Sequence, residues 1–225
     1  MSELIDYTRP DGRTSSGYLA LPPGSEGRAP PGIILIQEWW GLKPHILEIA
    51  DSFAAAGFAT LAPDLCRGRI ASDADEASHM MDGLDFVDAT DQDLAGALHH
   101  LQQVRHCTRV GVVGFCMGGA LTIAAAARLP GLSAASCFYG IPPLELADPS
   151  RIAIPIQGHF ADLDDWCTPD KVDALQVALK VPAEIYRYHA QHAFFNSSRP
   201  EVFDAPAAGQ AWERTLAFFN RHLKI

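Results

Sequence analysis

The chain is short of positive charge. Its 225 residues carry 17 Lys and Arg against 27 Asp and Glu, a formal net charge of −10. Without a basic stripe to neutralise phosphates, nucleic-acid binding is not expected. Long apolar runs are missing as well, and none approaches the roughly 20 residues needed to cross a bilayer. The opening MSELIDYTRPDG has acidic residues where a signal peptide needs a basic and then an apolar start. A cytoplasmic protein with no membrane partner is expected. The five cysteines (66, 107, 116, 137 and 167) are odd in number and lack C-x-x-C spacing. That excludes a disulfide framework and a zinc knuckle, and no metal site is expected. A phosphate loop would need G-K-S/T, which does not occur. No repeat, low-complexity tract or long linker interrupts residues 1–225, so one domain is the simplest organisation. The length suffices for a single large core.

What is present is an alternation of short apolar runs and helical periodicity. IILIQE (33–38), FATLAP (58–63), VGVVGF (110–115), SAASCFYG (133–140), AIPIQG (153–158) and EIYRYH (184–189) read as strands. Helices are expected over 45–57, 86–105, 117–128, 170–180 and about 206–222. GRAPPG (27–32) is a turn-forming breaker, and the polar segment 67–83 reads as a surface excursion. The pattern predicts an α/β fold with a mostly parallel central sheet and helices on both faces. Right-handed crossovers then gather the strand-to-helix loops on one edge of the sheet. Cys116, the aspartates at 162–165 and His192 all follow strands, so they are expected to share a site there.

The stretch Gly114-Phe115-Cys116-Met117-Gly118, with Gly119 next, matches a nucleophile elbow, the strand-to-helix turn written G-x-nucleophile-x-G. Its glycines are needed because the nucleophile's backbone is strained and neighbouring Cβ atoms would collide. A dinucleotide fingerprint is the competing glycine-rich reading. It would require glycine at position 116, so no nucleotide cofactor is expected. The elbow sets the Cys116 thiol at a helix N-terminus, where the dipole favours an anion.

A thiol that attacks a carbonyl needs a base, and the base needs a group to orient it. His192 follows the last predicted strand and is the natural base. In GHFADLDDWCTPD, Asp164 and Asp165 are close contenders for the acid, with Asp162 behind them; Asp170 reads as an N-cap. His99 and His100 read as surface or capping residues. Oxyanion donors are expected from the Met117 and Trp39 amides, with Trp39 and Trp40 as an apolar wall. Glu38 would face the same site and oppose thiolate formation. Trp40, Phe194 and Asn196 are expected to contact substrate.

The segments IQEWWGLKPHI, AAAGFATLAPDL, VGVVGFCMGGAL, GHFADLDDWCTPD and HAFFN resemble the dienelactone hydrolase family, a branch of the α/β-hydrolase fold. The resemblance implies a cofactor-independent hydrolase of small esters or lactones with a triad of Cys116, His192 and Asp164. Counting forward from His159 favours Asp164, whereas counting back from Pro169 favours Asp165. It also implies that Glu38 holds the resting thiol and accepts its proton when substrate enters. Family members that bind an anionic lactone use arginines, one of them four residues past the histidine, where this chain has Asn196. Arg67, Arg69 and Arg199 are the cations on nearby loops. A second reading gives Cys116 oxidation chemistry, as a redox sensor on the same scaffold.

Overall fold

The computed structural model describes residues 2–25, 27 and 29–224. Met1 of the opening segment and Arg28 of the GRAPPG breaker thus lie outside the described residues. One eight-stranded sheet runs through the molecule in the order β1-β2-β4-β3-β5-β6-β7-β8. The strands are β1 (Ser2–Thr8), β2 (Thr14–Ala20), β3 (Gly32–Ile36), β4 (Ala59–Pro63), β5 (Val110–Phe115), β6 (Ala134–Phe138), β7 (Ile156–Leu163) and β8 (Ala183–Gln191). Pairing is parallel from β4 through β8, while β1 with β2 and β2 with β4 are antiparallel. This is the α/β-hydrolase architecture expected from the alternation.

The helices are α1 (Pro44–Ala55), α2 (Ala74–Asp82), α3 (Phe86–Asp88), α4 (Ala95–His99), α5 (Met117–Arg128), α6 (Pro169–Ala178) and α7 (Ala205–Leu223). They bury apolar faces on the two sides of the sheet, giving two large clusters. Ile34, Ile36, Val112 and Leu121 lie in one, and Ile33, Leu35, Val113 and Phe219 in the other. The alternation of Ile33/Leu35 with Ile34/Ile36 shows why β3 is apolar throughout: a strand covered on both faces has no wet side. No helix among the described residues is long and apolar enough to cross a membrane.

Several elements differ from the sequence reading. The β1–β2 hairpin was not expected, because SELIDYT and TSSGYLA are largely polar on their outward face. Residues 67–83 contain α2, whose cap Asp73 accepts from the Glu76 N–H at 2.9 Å while Glu76 reaches back to the Ser72 N–H at 2.8 Å. That reciprocal pair marks a helix start within a polar segment. The stretch 86–105 is helical to Val104, but α3 and α4 alternate with π-helical turns at Ala89–Leu94 and His100–Val104. The first of these turns carries buried Asp93 onto Arg9 (3.2 Å), Arg67 (2.8 Å) and Ser15. Helix α6 begins at Pro169, whose fixed φ suits the first helical position, so Asp170 lies in the first turn rather than at the cap. His100 is half-buried rather than a surface group, with Nε2 unpaired beneath the Tyr7 ring.

Strand β7 starts later than predicted, at Ile156, and runs on to Leu163. Together with β8 it extends past the sheet as a two-stranded ribbon, bulged between Ala161 and Leu163, and Leu163 pairs with Gln191. The register therefore sets the next residues on each strand, Asp164 and His192, side by side.

Candidate active site

Strand β5 ends and α5 begins within one residue, Cys116, whose backbone is at φ 55°, ψ −117°. A non-glycine residue is held there only when its surroundings over-determine it. A Cβ on Gly118 would lie 2.4 Å from the Ile36 carbonyl oxygen, and one on Gly114 would lie 2.1 Å from the Gly118 carbonyl. Gly140, just past β6, closes the bend from the other side: a Cβ there would fall 2.1 Å from the Cys116 carbonyl oxygen. Backbone cannot yield as a side chain can. Gly140→Ala should therefore destabilise the fold by about 3 kcal/mol, the upper part of the overpacking range. A urea titration showing a midpoint unchanged from wild type would contradict this.

His192 Nδ1–H donates to Asp164 Oδ2 at 2.7 Å. The other Asp164 oxygen takes the Trp166 N–H at 2.7 Å and the Cys167 N–H at 3.0 Å. Burial pushes the Asp164 carboxyl up, but the His192 contact and these two donors outweigh it and hold the group below the ordinary carboxylate range. An ionised Asp164 fixes the proton on His192 Nδ1, leaving Nε2 free as a base. Asp165 is exposed at the cavity rim, and Asp162 is exposed on the ribbon. Neither is the histidine's partner.

Glu38 is buried at the end of β3, with Oε2 bonded to the Asn196 amide. Burial raises its carboxyl above the usual range, against the opposing pull of Asn196, His192, Arg199 and Tyr139. The Tyr139 hydroxyl is buried without a hydrogen bond of good geometry, close enough to Glu38 for the carboxylate to reinforce the upward push of burial on the phenol. The Cys116 thiol is likewise driven well above its ordinary value, first by burial and then by Glu38; the Met117 N–H pulls the other way. Both effects favour the neutral thiol over the thiolate, against the helix dipole.

A cavity of about 540 Å³ opens over the elbow, lined by Cys116, Met117, Glu38, Tyr139 and His192 at its floor. Its outer walls carry Trp39, Trp40, Trp166 and Leu163, with Arg199 and Lys171 as cations. Among the described residues, no group of three His, Cys, Asp or Glu is placed to hold a metal ion.

The sequence model of the dienelactone hydrolase family matches residues 16–223. The chain belongs to the dienelactone hydrolase family. It is a carboxylic ester hydrolase on the α/β-hydrolase fold. Protein usf of Aquifex pyrophilus is 34% identical over 99% of this chain and the whole of that one. A protein of Aquifex aeolicus, provisionally named a carboxymethylenebutenolidase, is 31% identical over the full length of both chains. The crystal structure of a dienelactone hydrolase-like promiscuous phosphotriesterase from metagenomic libraries superposes with a TM-score of 0.86. It is 24% identical to this chain and covers 99% of it and 98% of its own.

In this family member, Cys116, His192, Glu38, Trp39, Met117 and Trp40 line one cavity. Phe194 and Asn196 do not line it. The chain turns inward at Ala193 (φ 63°), which buries Phe194 between Tyr139 and Tyr188 at ring distances of 5.4 and 4.9 Å. Asn196 faces Glu38 from behind, its Oδ1 fixed by the Ser198 N–H at 3.0 Å and hydroxyl at 2.6 Å. Arg67 is engaged by Asp93 and Ser15, and of the three candidate arginines only Arg199 is among the residues lining the cavity. Tyr139, Gly140, Trp166 and Lys171 were not singled out from the sequence. Gly140 had a visible signal, a glycine closing the strand SAASCFYG, whereas Trp166 was hidden by the aspartates beside it.

Proposed function

We propose that the protein hydrolyses small esters or lactones through a thioester formed on Cys116. The observation that carries this reading is the convergence of a strained, glycine-packed cysteine and an Asp164-oriented histidine on one cavity. When substrate enters, the Cys116 thiol proton passes to Glu38 and is handed on to His192 Nε2, and the thiolate attacks the carbonyl carbon. The Met117 and Trp39 backbone N–H groups receive the oxyanion. Collapse of this intermediate expels the alcohol, which takes the proton from His192 and leaves the acyl group on sulfur. Water then gives a proton to His192 and attacks the thioester. The acid departs, and the proton returns to the thiol. No cofactor enters any step. A panel of small activated esters and enol-lactones should be hydrolysed, and a protein inert towards all of them would contradict the reading.

Glu38 is assigned the part of keeping the resting thiol protonated and receiving its proton as substrate displaces the pair. Its neighbours are Asn196 and His192 from the segment after β8, Arg199, Tyr139 after β6 and the sulfur itself. Removing a negative neighbour lowers a thiol pKa, so more thiolate exists at any given pH. Glu38→Gln should therefore alkylate faster with iodoacetamide at neutral pH, roughly tenfold for one unit of pKa, while ester turnover falls. An alkylation rate unchanged or slower would remove Glu38 from this role.

A further inference from the structure

Beyond the elbow, the outer cavity is built from indoles. Trp39 makes edge contacts with Trp40 at a centroid distance of 5.3 Å and with Trp166 at 6.1 Å, both at 71°. Trp39 and Trp40 follow β3 and pack against Ala77 and Met80 of α2, so this wall is braced. Trp166 follows β7 and is 60% exposed, with Leu163 beside it at 53%. A single exposed tryptophan is ordinary on a protein surface. Here Trp40 and Trp166 both meet Trp39 edge-on, and Trp166 also lies 6.3 Å from the His192 ring; brought from two separate loops to the reactive cavity, the three indoles form an apolar platform whose outer member is largely exposed.

The cations nearby are partly engaged, and Lys43 Nζ lies 5.0 Å from the centre of the Trp40 ring. Lys171 Nζ donates to the Trp166 carbonyl at 2.8 Å. Arg199 Nε is bonded to Glu201 at 2.8 Å, and its guanidinium lies 5.6 Å from the centre of the Trp40 ring. Asp165 and Glu38 add negative charge to the same lining. An anionic substrate would approach two carboxylates. A neutral ring would meet chiefly the three indoles and Leu163, with edge-to-face geometry already established between Trp39 and each of its two neighbours.

We propose that this outer wall is an aryl-binding subsite, so that the preferred substrates are uncharged esters carrying an aromatic group on the alcohol or acyl side. The proposal rests on the ester-hydrolase reading of the inner cavity, and it adds the class of substrate. Trp166 acts as a specificity residue through its side chain; its backbone N–H, which holds Asp164, is retained in any substitution.

The test compares benzyl acetate with ethyl acetate, whose leaving alcohols are of similar acidity, and with the anionic monoethyl succinate. Wild-type enzyme should favour benzyl over ethyl acetate by about tenfold or more in kcat/KM, mainly through KM. Trp166→Ala should cut that ratio several-fold, and Trp166→Phe should restore most of it. Binding is read separately from turnover by tryptophan fluorescence, titrating Cys116→Ala enzyme with N-benzylacetamide and N-ethylacetamide. The benzyl amide should saturate at the lower concentration, and Trp166→Ala should weaken it. If the ratio is unchanged in Trp166→Ala, or monoethyl succinate is preferred to benzyl acetate, the subsite is wrong although the thioester reading stands. Saturable benzyl-amide binding that depends on Trp166, without turnover of any ester, would keep the subsite and remove the thioester reading.

Discussion

Cys116→Ala should lower kcat/KM for a small activated ester by on the order of 10⁴-fold or more, leaving only what binding and the oxyanion donors supply. The loss should be in kcat. Alanine keeps the Cβ that the strained φ of 55° must accommodate, and it deletes only the sulfur. The variant should therefore fold like the parent and still occupy its cavity with ligand. A clean separation follows: unchanged thermal midpoint, retained binding, no turnover. Substantial residual activity would mean that the nucleophile is water or another side chain, and the elbow's strain would have no catalytic purpose.

The second large effect falls on the acid. Asp164→Asn preserves size and can still accept the Trp166 and Cys167 N–H bonds through its carbonyl. It presents an amide where His192 Nδ1 needs an anionic acceptor. The wrong tautomer then places the proton on Nε2, and a neutral acceptor no longer stabilises the imidazolium. A fall in kcat of roughly 10³- to 10⁴-fold is expected. Asp165→Asn, altering an exposed rim carboxylate, should cost less than about tenfold. Kinetics at saturating substrate decide between them. If the two variants exchanged these behaviours, the 2.7 Å contact of Asp164 would be a structural cap and not the orienting bond.

The elbow was legible in the sequence because its constraint is local. A strand, a cysteine at the bend and glycines on both sides state their own geometry, and Gly114, Gly118 and Gly119 each sit where a Cβ would strike backbone. The pairing of Asp164 with His192 was legible only as a shortlist. The choice over Asp165 depends on β7 running to Leu163 and pairing with Gln191, a register fixed by tertiary contact. The β1–β2 hairpin went unread because one of its faces is wet and its pattern weakly apolar. Phe194 and Asn196 were expected to line the cavity and do not. The inward turn that removes them is an alanine at φ 63°, a conformation no propensity would assign to that residue. Trp166 is the reverse case, an apolar side chain in a polar loop, and only its contacts with Trp39 give it meaning.

Burial and Glu38 both push the Cys116 thiol up, against the pull of the Met117 N–H, which favours the neutral form at rest. Asn196, pinned by Ser198, gives Glu38 a neutral donor in place of a cation, which leaves burial as the dominant influence on that carboxyl.

The covalent step can be observed directly. Rapid mixing with an activated ester, acid quench and intact-mass analysis should reveal one added acyl group. Peptide mapping should locate it on Cys116, and its release by neutral hydroxylamine should mark it as a thioester. An acyl group on any other residue, or steady turnover with Cys116 unmodified at every time point, would contradict the account.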